Sequence, residues 1–370
     1  MNRIYKIALT KIKGLGPKLT RGLLNHFETA ENVFKSSDTE LQKVFGIGST
    51  IAHEIKNGKY LKAAEEELTF IDKNEIQLLW IKDKNIYPRR LSHCEDAPLL
   101  LYYKGNADLN TKKIISIVGS RNATTYGLEL CKDFVKNLKD PDTLVISGLA
   151  YGIDVQAHRS SLDNKIPTVG VLGHGLDRIY PYAHRETAKQ MLMKGGGLLT
   201  EFASGTNPER TNFPMRNRII AGLSDVTIVV EAAIKGGALI TAEIANSYNR
   251  DVCAFPGSVH QTYSAGCNYL IKTHRAHLIR NANDLYYLMN WEKEEKKSKD
   301  TQLPLFTEKL SKDEKKVADY IASRKEDVHV DEIANHCNWP QSKLAIVLLE
   351  MELAGHVVSL PGKMYKNSVR

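Results

Sequence analysis

The sequence predicts an α/β protein in which a doubly wound parallel sheet is flanked by a small helical domain and a C-terminal winged helix. Short apolar runs rich in valine and isoleucine alternate with helix-like segments from Lys112 onward. Such runs are typical of strands that are buried on both faces. Small residues follow several of these runs where a helix begins, and a charge-dense segment then precedes three further helix-like stretches and a hairpin.

Residues 1–72 are predicted to form a helical, helix-hairpin-helix-like domain. Gly14-Leu15-Gly16 and Gly46-Ile47-Gly48 each stand in front of an amphipathic stretch. A tight glycine turn before a helix presents free backbone N–H groups, which can face a DNA phosphate. Glycine at such a turn is equally suited to plain helix packing. Both interpretations stay open.

Residues 73–111 are interpreted as an extended connecting segment with turns, because Pro88 and Pro98 discourage helix. Residues 112–290 carry the predicted sheet domain. Its candidate strands are Ile114–Val118, Leu144–Ile146, Thr168–Leu172, Leu198–Thr200, Val226–Val230 and Val252–Phe255, and its candidate helices begin near Tyr126, Ile153, His184, Asn217, Ala238 and Asn268. This alternation predicts a Rossmann-like domain with ligands at the carboxyl ends of the strands.

Two glycine-rich elbows follow predicted strands of this domain and predict a phosphate site, the first at Gly119-Ser120-Arg121 and the second at Ser147-Gly148-Leu149-Ala150. Small residues that lead from a strand into a helix present backbone N–H groups to anionic oxygens, and an arginine there can hold phosphate through two parallel hydrogen bonds. A later run, Phe213–Arg218, supplies two arginines just before another predicted helix. The predicted DNA- or phosphate-binding residues are Gly119, Ser120, Arg121, Ser147, Gly148, Phe213, Arg216, Asn217 and Arg218.

Each of these residues has a structural alternative. Arg121 could pair with Glu201 or Glu231, although an elbow arginine favours phosphate. Of the two later arginines, one is expected to face the pocket and the other to brace the fold.

Other polar and aromatic residues near the elbows are also open to two interpretations. Asp154 and His158 share a helix face, and a structural role is favoured over an acid–base pair. Phe213 could stack on a base or pack in the core, whereas packing is favoured for Tyr180.

Residues 291–304 form a predicted charged linker, and residues 305–370 a predicted winged helix with a net charge of zero. Its third helix carries one lysine and two glutamates between Lys343 and Leu353. Because a DNA-binding helix usually carries a basic surface, a protein-contact or accessory role is favoured.

Composition sets broad limits on the function. The net charge is +8, of which +5 lies in residues 112–290, and this weakly favours a polyanionic partner. The five cysteines have no paired spacing, so neither a zinc site nor a disulfide framework is predicted. The sequence shows no apolar run of membrane-spanning length and no secretory segment, which predicts a cytoplasmic protein without membrane association. No cofactor or metal site is expected.

An ordered series of short motifs resembles the DprA/Smf family of DNA-processing proteins. The motifs are Val118–Arg121 with Tyr126-Gly127, Ser147–Asp154 with Ala157-His158, Gly175–Asp177 with Tyr180-Pro181, Phe213–Ser224, Leu239–Ala242, Pro256-Gly257, and Gly266 with Asn268. The resemblance implies an extended Rossmann fold in a homodimer that binds single-stranded DNA. It further implies a non-enzymatic protein that protects incoming DNA and helps to load the RecA recombinase in natural transformation. Arg121 is the first phosphate ligand that it implies.

The chain departs from the family pattern at Gly236-Gly237-Ala238, at His174 and at His274-Arg275. One alternative function is a nucleotide phosphoribohydrolase-like enzyme in the same pocket. Residues 234–243 resemble that enzyme's motif through a Gly-Gly pair and Glu243, but they lack its proline and third glycine. A transcription regulator that acts through the winged helix is a further alternative, and the neutral charge of that domain argues against it.

Overall fold

The computed structural model describes residues 2–291, 310–324 and 327–368. They belong to two compact units, one that ends at Ala282 and one that begins at Asn283. Of the predicted linker 291–304, all but Trp291 lies outside the described residues. Within the described ranges, we find no helix with the length and apolar character needed to cross a membrane.

The first unit begins with a helical domain in which two glycine turns have the same geometry. Gly14 and Gly46 have φ values of +85° and +83°, a region that glycine adopts without strain. Leu15 and Ile47 follow them and are buried in the domain's core. The helices are α1 (Asn2–Lys11), α2 (Pro17–Phe27), α3 (Ala30–Lys35), α4 (Asp38–Leu41), α5 (Ser49–Lys56) and α6 (Lys59–Lys73).

A nine-stranded sheet forms the centre of this unit. Its strands are β1 (Gln77–Trp80), β2 (Leu100–Gly105), β3 (Lys113–Val118), β4 (Thr143–Ser147), β5 (Thr168–Val171), β6 (Gly197–Thr200), β7 (Val226–Val229), β8 (Asp251–Ala254) and β9 (His277–Leu278). Their order is β1-β2-β6-β5-β4-β3-β7-β8-β9, and the pairs from β6 to β9 are parallel. The predicted doubly wound sheet is confirmed. The chain reverses its direction of winding between β3 and β7, where ligands of such sheets commonly bind.

The connecting segment contributes more to the sheet than the sequence indicated. β1 and β2 pair with each other in antiparallel register, and β2 continues antiparallel onto β6. Pro88 and Pro98 lie between the two strands, next to the short helix α7 (Arg89–Ser92), so neither removes a hydrogen bond from the ladder. At the opposite edge, β9 is only two exposed residues long and has no pattern that predicts it.

Helices cover both faces of the sheet. They are α8 (Thr125–Lys136), α9 (Ile153–Asp163), α10 (Arg185–Met193) after a 3₁₀ turn (Tyr182–His184), α11 (Asn212–Leu223), α12 (Gly237–Ser247) and α13 (Ala265–Lys272). The next helix, α14 (Ala282–Leu288), belongs to the second unit from its second residue onward. The predicted start near Asn217 is wrong, because α11 begins five residues earlier. Pro214 lies in its first turn, where proline costs no hydrogen bond. Arg216 and Arg218 therefore lie on the helix rather than before it.

The second unit contains the predicted winged helix. Its elements are α15 (Lys312–Ala322), β10 (Val328–His329), α16 (Val330–Cys337), α17 (Gln341–Leu353), β11 (Val357–Leu360) and β12 (Met364–Asn367). The strands form a small antiparallel sheet in the order β10-β12-β11. On α17, Lys343 pairs with Asp313 at 2.8 Å, whereas Ile346, Leu349 and Leu353 are exposed.

Candidate nucleic-acid interface

The two elbows pack directly against each other at the carboxyl end of the sheet. The first follows β3 and the second follows its neighbour β4. The Ile153 N–H at the start of α9 donates to the Ser120 carbonyl at 3.2 Å. A Cβ on Gly119 would lie 2.5 Å from the Ile153 side chain, and one on Gly152 would lie 2.1 Å from the Ser120 carbonyl oxygen. The elbows can approach this closely only because these positions carry no side chain.

The strand-end carboxylate Glu231 holds the first elbow in place. Its backbone carbonyl accepts the Ser120 N–H at 2.7 Å, and its buried carboxylate accepts the Thr124 N–H at 2.9 Å and the Thr124 hydroxyl at 2.6 Å. Thr124 in turn caps α8 through the Gly127 N–H. The Ser120 N–H is therefore already bonded within the protein, and the donor that Ser120 retains for a ligand is its hydroxyl.

Arg121 extends from this elbow into solvent. Its guanidinium carbon lies 5.3 Å from the centroid of the Phe213 ring. Both carboxylates that were alternative partners are occupied, since Glu201 binds Arg218 and Glu231 binds Thr124. Within the part of the chain that the structure describes, no carboxylate forms an ion pair with Arg121. An exposed guanidinium of this kind, above an aromatic ring, is available to phosphate.

Residues of the second elbow belong to the interior. Ser147 is fully buried, and its hydroxyl donates to the Ile117 carbonyl at 2.6 Å. A Cβ on the buried Gly148 would lie 1.7 Å from Arg216 Nη1 and 2.5 Å from Asp154 Oδ2. The predicted phosphate contact of Ser147 does not agree with this burial, whereas a contact through the Gly148 backbone stays a prediction. The lack of a side chain at Gly148 makes room for the Arg216 guanidinium.

Arg216 lies in the interior and is only 3% exposed. Its Nη1 donates to the Val171 carbonyl at 2.9 Å, while its Nε is buried without a hydrogen-bond partner. Burial lowers the pKa of Arg216 to about 10, and burial likewise raises the pKa of the neighbouring Asp154 carboxyl. The predicted direct phosphate contact of Arg216 does not agree with this position, because its guanidinium points into the protein.

Arg218 braces the fold, as expected for one of the two arginines. It forms an ion pair with Glu201 and donates to the Asp96 carbonyl at 2.5 Å. Side chains two positions apart on a helix point in nearly opposite directions, which explains why Arg216 and Arg218 have different partners. Asn217 lies between them and is half-buried. The predicted phosphate contact of Arg218 does not agree with its engagement by Glu201 and Asp96.

The ring beside Arg121 has an aromatic neighbour of its own. Phe213 is half-buried, and its ring centroid lies 6.2 Å from that of Tyr180, at an interplanar angle of 37°. Tyr180 is 49% exposed, which does not agree with the core-packing role favoured from the sequence. Tyr182 and Arg185 follow Tyr180 in the sequence and contact each other, and neither was predicted as a site residue. The Tyr-Pro-Tyr sequence at positions 180–182, followed by an arginine, is the signal that could have indicated them.

His158 has a structural rather than an acid–base environment. It is fully buried, and its Nδ1 lies 2.6 Å from the Thr168 hydroxyl. Burial lowers its pKa to about 3, and the charge of Arg216 adds to this effect. His158 is therefore neutral near pH 7 and does not form an ion pair with Asp154.

We expect His158 to make the protein sensitive to acid. In the unfolded chain its pKa is about 6.5, so the unfolded state binds the proton first as the pH falls. The free energy of unfolding should then fall by about 1.4 kcal/mol per pH unit below about pH 6.5 because of this group. Urea denaturation of His158→Gln between pH 6.5 and 4 should show a smaller slope than wild type. Equal slopes would show that the folded protein protonates His158.

The carboxylate in the stretch that resembles the phosphoribohydrolase motif is engaged in an ion pair on the protein surface. Gly236 and Gly237 precede α12, and Glu243 lies on that helix. The Glu243 carboxylate accepts from Arg275 Nη1 at 2.6 Å, with both side chains about half exposed. This surface ion pair accounts for Glu243 without a substrate. Within the described ranges, no group of histidine, cysteine and acidic residues could hold a metal ion.

Comparison with known proteins shows which family carries this arrangement. Residues 77–290 match the family model described as DNA recombination-mediator protein A. The chain belongs to that family. The resemblance to DprA/Smf proteins is thereby confirmed. Two further models match the flanking domains, a SAM-like helix-hairpin-helix tandem at residues 6–58 and a DprA winged helix domain at residues 303–363.

Relatives in the DprA/Smf family cover most of the chain. Protein Smf of Escherichia coli K12 is 33% identical over 83% of this chain and 84% of its own length. DNA processing protein DprA of Streptococcus pneumoniae is 40% identical over 54% of this chain and 70% of its own length.

Two solved DprA structures share the fold. The X-ray structure of Streptococcus pneumoniae DprA has a TM-score of 0.65 and 33% identity, and it matches 77% of this chain and 97% of that one. A structure of Helicobacter pylori DprA, described by its single-stranded DNA binding mode, has a TM-score of 0.52 and 25% identity, and it matches 59% of this chain and 96% of that one.

Proposed function

We propose that this DprA/Smf protein binds single-stranded DNA without reading its sequence, through Arg121 and Phe213 at the first elbow. The observation that carries the proposal is the exposed Arg121 guanidinium, 5.3 Å above the Phe213 ring and without a carboxylate partner in the described ranges. A guanidinium can hold a backbone phosphate while a neighbouring ring stacks on a base. Helicobacter pylori DprA, whose structure is described by its single-stranded DNA binding mode, supports this choice of ligand.

The charge distribution supports the central domain as the DNA site. The net charge is +5 over residues 112–290 and zero over residues 305–370. On α17 of the winged helix, Lys343 is engaged by Asp313, and the exposed side chains include Ile346, Leu349 and Leu353. A helix with this face is better suited to a protein than to a DNA groove. The winged helix is accordingly assigned an accessory, protein-contacting role.

The wider role follows from the family. We infer that the chain acts in the cytoplasm as a homodimer, protects incoming DNA and helps to load RecA during natural transformation. Family membership over residues 77–290 supports this role. The protein acts by binding rather than by catalysis in this proposal. The engagement of Glu201 by Arg218, of Glu231 by Thr124 and of Glu243 by Arg275 supports a structural use of these carboxylates.

Binding of labelled single-stranded and duplex oligonucleotides across a salt series tests the proposal. We expect preference for the single strand, because stacking on Phe213 requires unpaired bases. The logarithm of the association constant should fall with the logarithm of salt concentration, with a slope of about −0.7 for each neutralised phosphate. Equal affinity for duplex DNA, or binding that is insensitive to salt, would contradict the proposal. Release of free base from AMP, abolished in Glu243→Gln, would instead support the enzyme alternative.

A further inference from the structure

Two exposed tyrosines, Tyr180 and Tyr182, follow one another in the chain near Phe213. Tyr180 is next to Phe213, and Tyr182 follows two residues later with 72% of its surface exposed. An isolated exposed tyrosine is unremarkable on a protein surface. Two exposed tyrosines in a segment that contacts a proposed DNA-binding residue are candidates for a continuation of that site, because large apolar side chains contribute most when a partner covers them.

Tyr182 repeats the arrangement seen at Phe213. The guanidinium carbon of Arg185 lies 5.8 Å from the centroid of the Tyr182 ring, and Arg185 Nη1 donates to the Tyr182 hydroxyl at 3.2 Å. At the elbow, Arg121 lies 5.3 Å from the centroid of Phe213. Each pair combines an aromatic face with a guanidinium. This combination is suited to one base and one phosphate of a flexible strand.

The Tyr182 turn is fixed to the second elbow. The neighbouring His184 is buried, and its Nδ1 lies 2.8 Å from the carbonyl oxygen of Leu149, which directly follows Gly148. The Tyr151 ring packs edge-on against the His184 ring, with 4.8 Å between centroids. These contacts hold the Tyr182 turn in place relative to the elbows. Single-stranded DNA that is bound at Arg121 would therefore contact a Tyr182 ring that is already held in position, rather than a loop that must first become ordered.

Charges near the Tyr182 turn are compatible with a polyanion. Asp177 is paired with Arg178 at 2.7 Å, and Arg178 also donates to the side-chain oxygen of Asn207 at 2.6 Å. Glu186 follows Arg185 and accepts a hydrogen bond from Gln190 at 3.4 Å. The three arginines Arg121, Arg178 and Arg185 outnumber these two carboxylates.

We infer that Tyr182, with Arg185 against its ring, is a second base-stacking position for the strand that is held at Arg121 and Phe213. This inference rests on the proposed function and adds to it a further contact along the same strand. The ligand is an unpaired base of any identity, since every base presents an aromatic face. Arg185 adds charge for an adjacent phosphate.

The test compares two single strands of equal length, oligo-dT and the same backbone with abasic sites throughout. Tyr182→Leu should weaken binding of oligo-dT by about 5- to 100-fold, because one stacked base contributes about 1–3 kcal/mol. Binding of the abasic strand should change less than about twofold, since the phosphate contacts remain. Tyr182→Phe keeps the ring and should bind oligo-dT nearly as wild type does.

Tyr287→Leu is the matched control, because Tyr287 is 77% exposed and lies on α14. It should bind both strands as wild type does. Unchanged oligo-dT affinity in Tyr182→Leu, or equal losses on both strands, would overturn the stacking position. Failure of wild type to bind either strand would overturn the proposed function instead, so the two failures are distinguishable. Quenching of 2-aminopurine in the bound strand, reduced in Tyr182→Leu, provides a second readout of stacking.

Discussion

Arg121→Ala is expected to weaken binding of single-stranded DNA by about 10- to 100-fold, because a charged hydrogen bond contributes about 1.5–3 kcal/mol. The side chain is exposed, and it has no ion-pair partner in the described ranges. Its removal should therefore leave the fold intact. Fluorescence anisotropy across a salt series should also show that the slope of log K against log salt becomes shallower by about 0.7.

Two further variants show whether the loss is specific to Arg121 and whether it depends on the planar guanidinium or on charge alone. Arg159→Ala removes an exposed guanidinium from α9 of the same unit and should change affinity less than about twofold. Arg121→Lys keeps the charge without the planar fork and should give an intermediate loss with an unchanged salt slope. If Arg121→Ala binds as tightly as wild type, the elbow is not the DNA site, and the helix-hairpin-helix and winged-helix domains become the candidates.

Gly152→Ala is expected to destabilise the first unit by at least about 4 kcal/mol. Gly152 has φ +76° and ψ −125°, a conformation that side chains rarely allow. A Cβ there would lie 2.1 Å from the Ser120 carbonyl oxygen and 2.7 Å from that of Arg121. Both clashes are with backbone, which cannot rotate away, so the two elbows would have to separate. Urea denaturation followed by circular dichroism measures the loss.

Gly195→Ala is the matched control for this loss. Gly195 has a nearly identical φ of +78°, but no atom that a Cβ would meet within 4 Å. Its replacement should therefore cost only the backbone strain, about 1–2 kcal/mol. A difference of at least about 2 kcal/mol between the two variants assigns the excess to the contact between the elbows. Equal losses in the free energy of unfolding would show that the close contact between the two elbows does not contribute to stability.

The sequence predicted the central domain well, because its signals are local. Apolar runs such as Ile114–Val118 have the composition of strands buried on both faces, and the structure places β3 at Lys113–Val118. Glycines at strand ends likewise located the first elbow. β1 and β2 escaped prediction as strands because nothing in a short apolar run indicates its partner in the sheet, and the prolines between the two runs suggested turns.

Local patterns alone determined the doubly wound sheet, the winged helix and the elbow that carries Arg121. Only the tertiary structure decided which arginine is left for a ligand. Arg216 contacts the Val171 carbonyl and Arg218 contacts Glu201, whereas Arg121 lies over the Phe213 ring and forms no ion pair with any residue that the structure describes. Each of these partners is remote in sequence and is set by strand order. A local pattern can therefore show that an arginine is present, but folding decides whether its charge is satisfied inside the protein or remains available outside it.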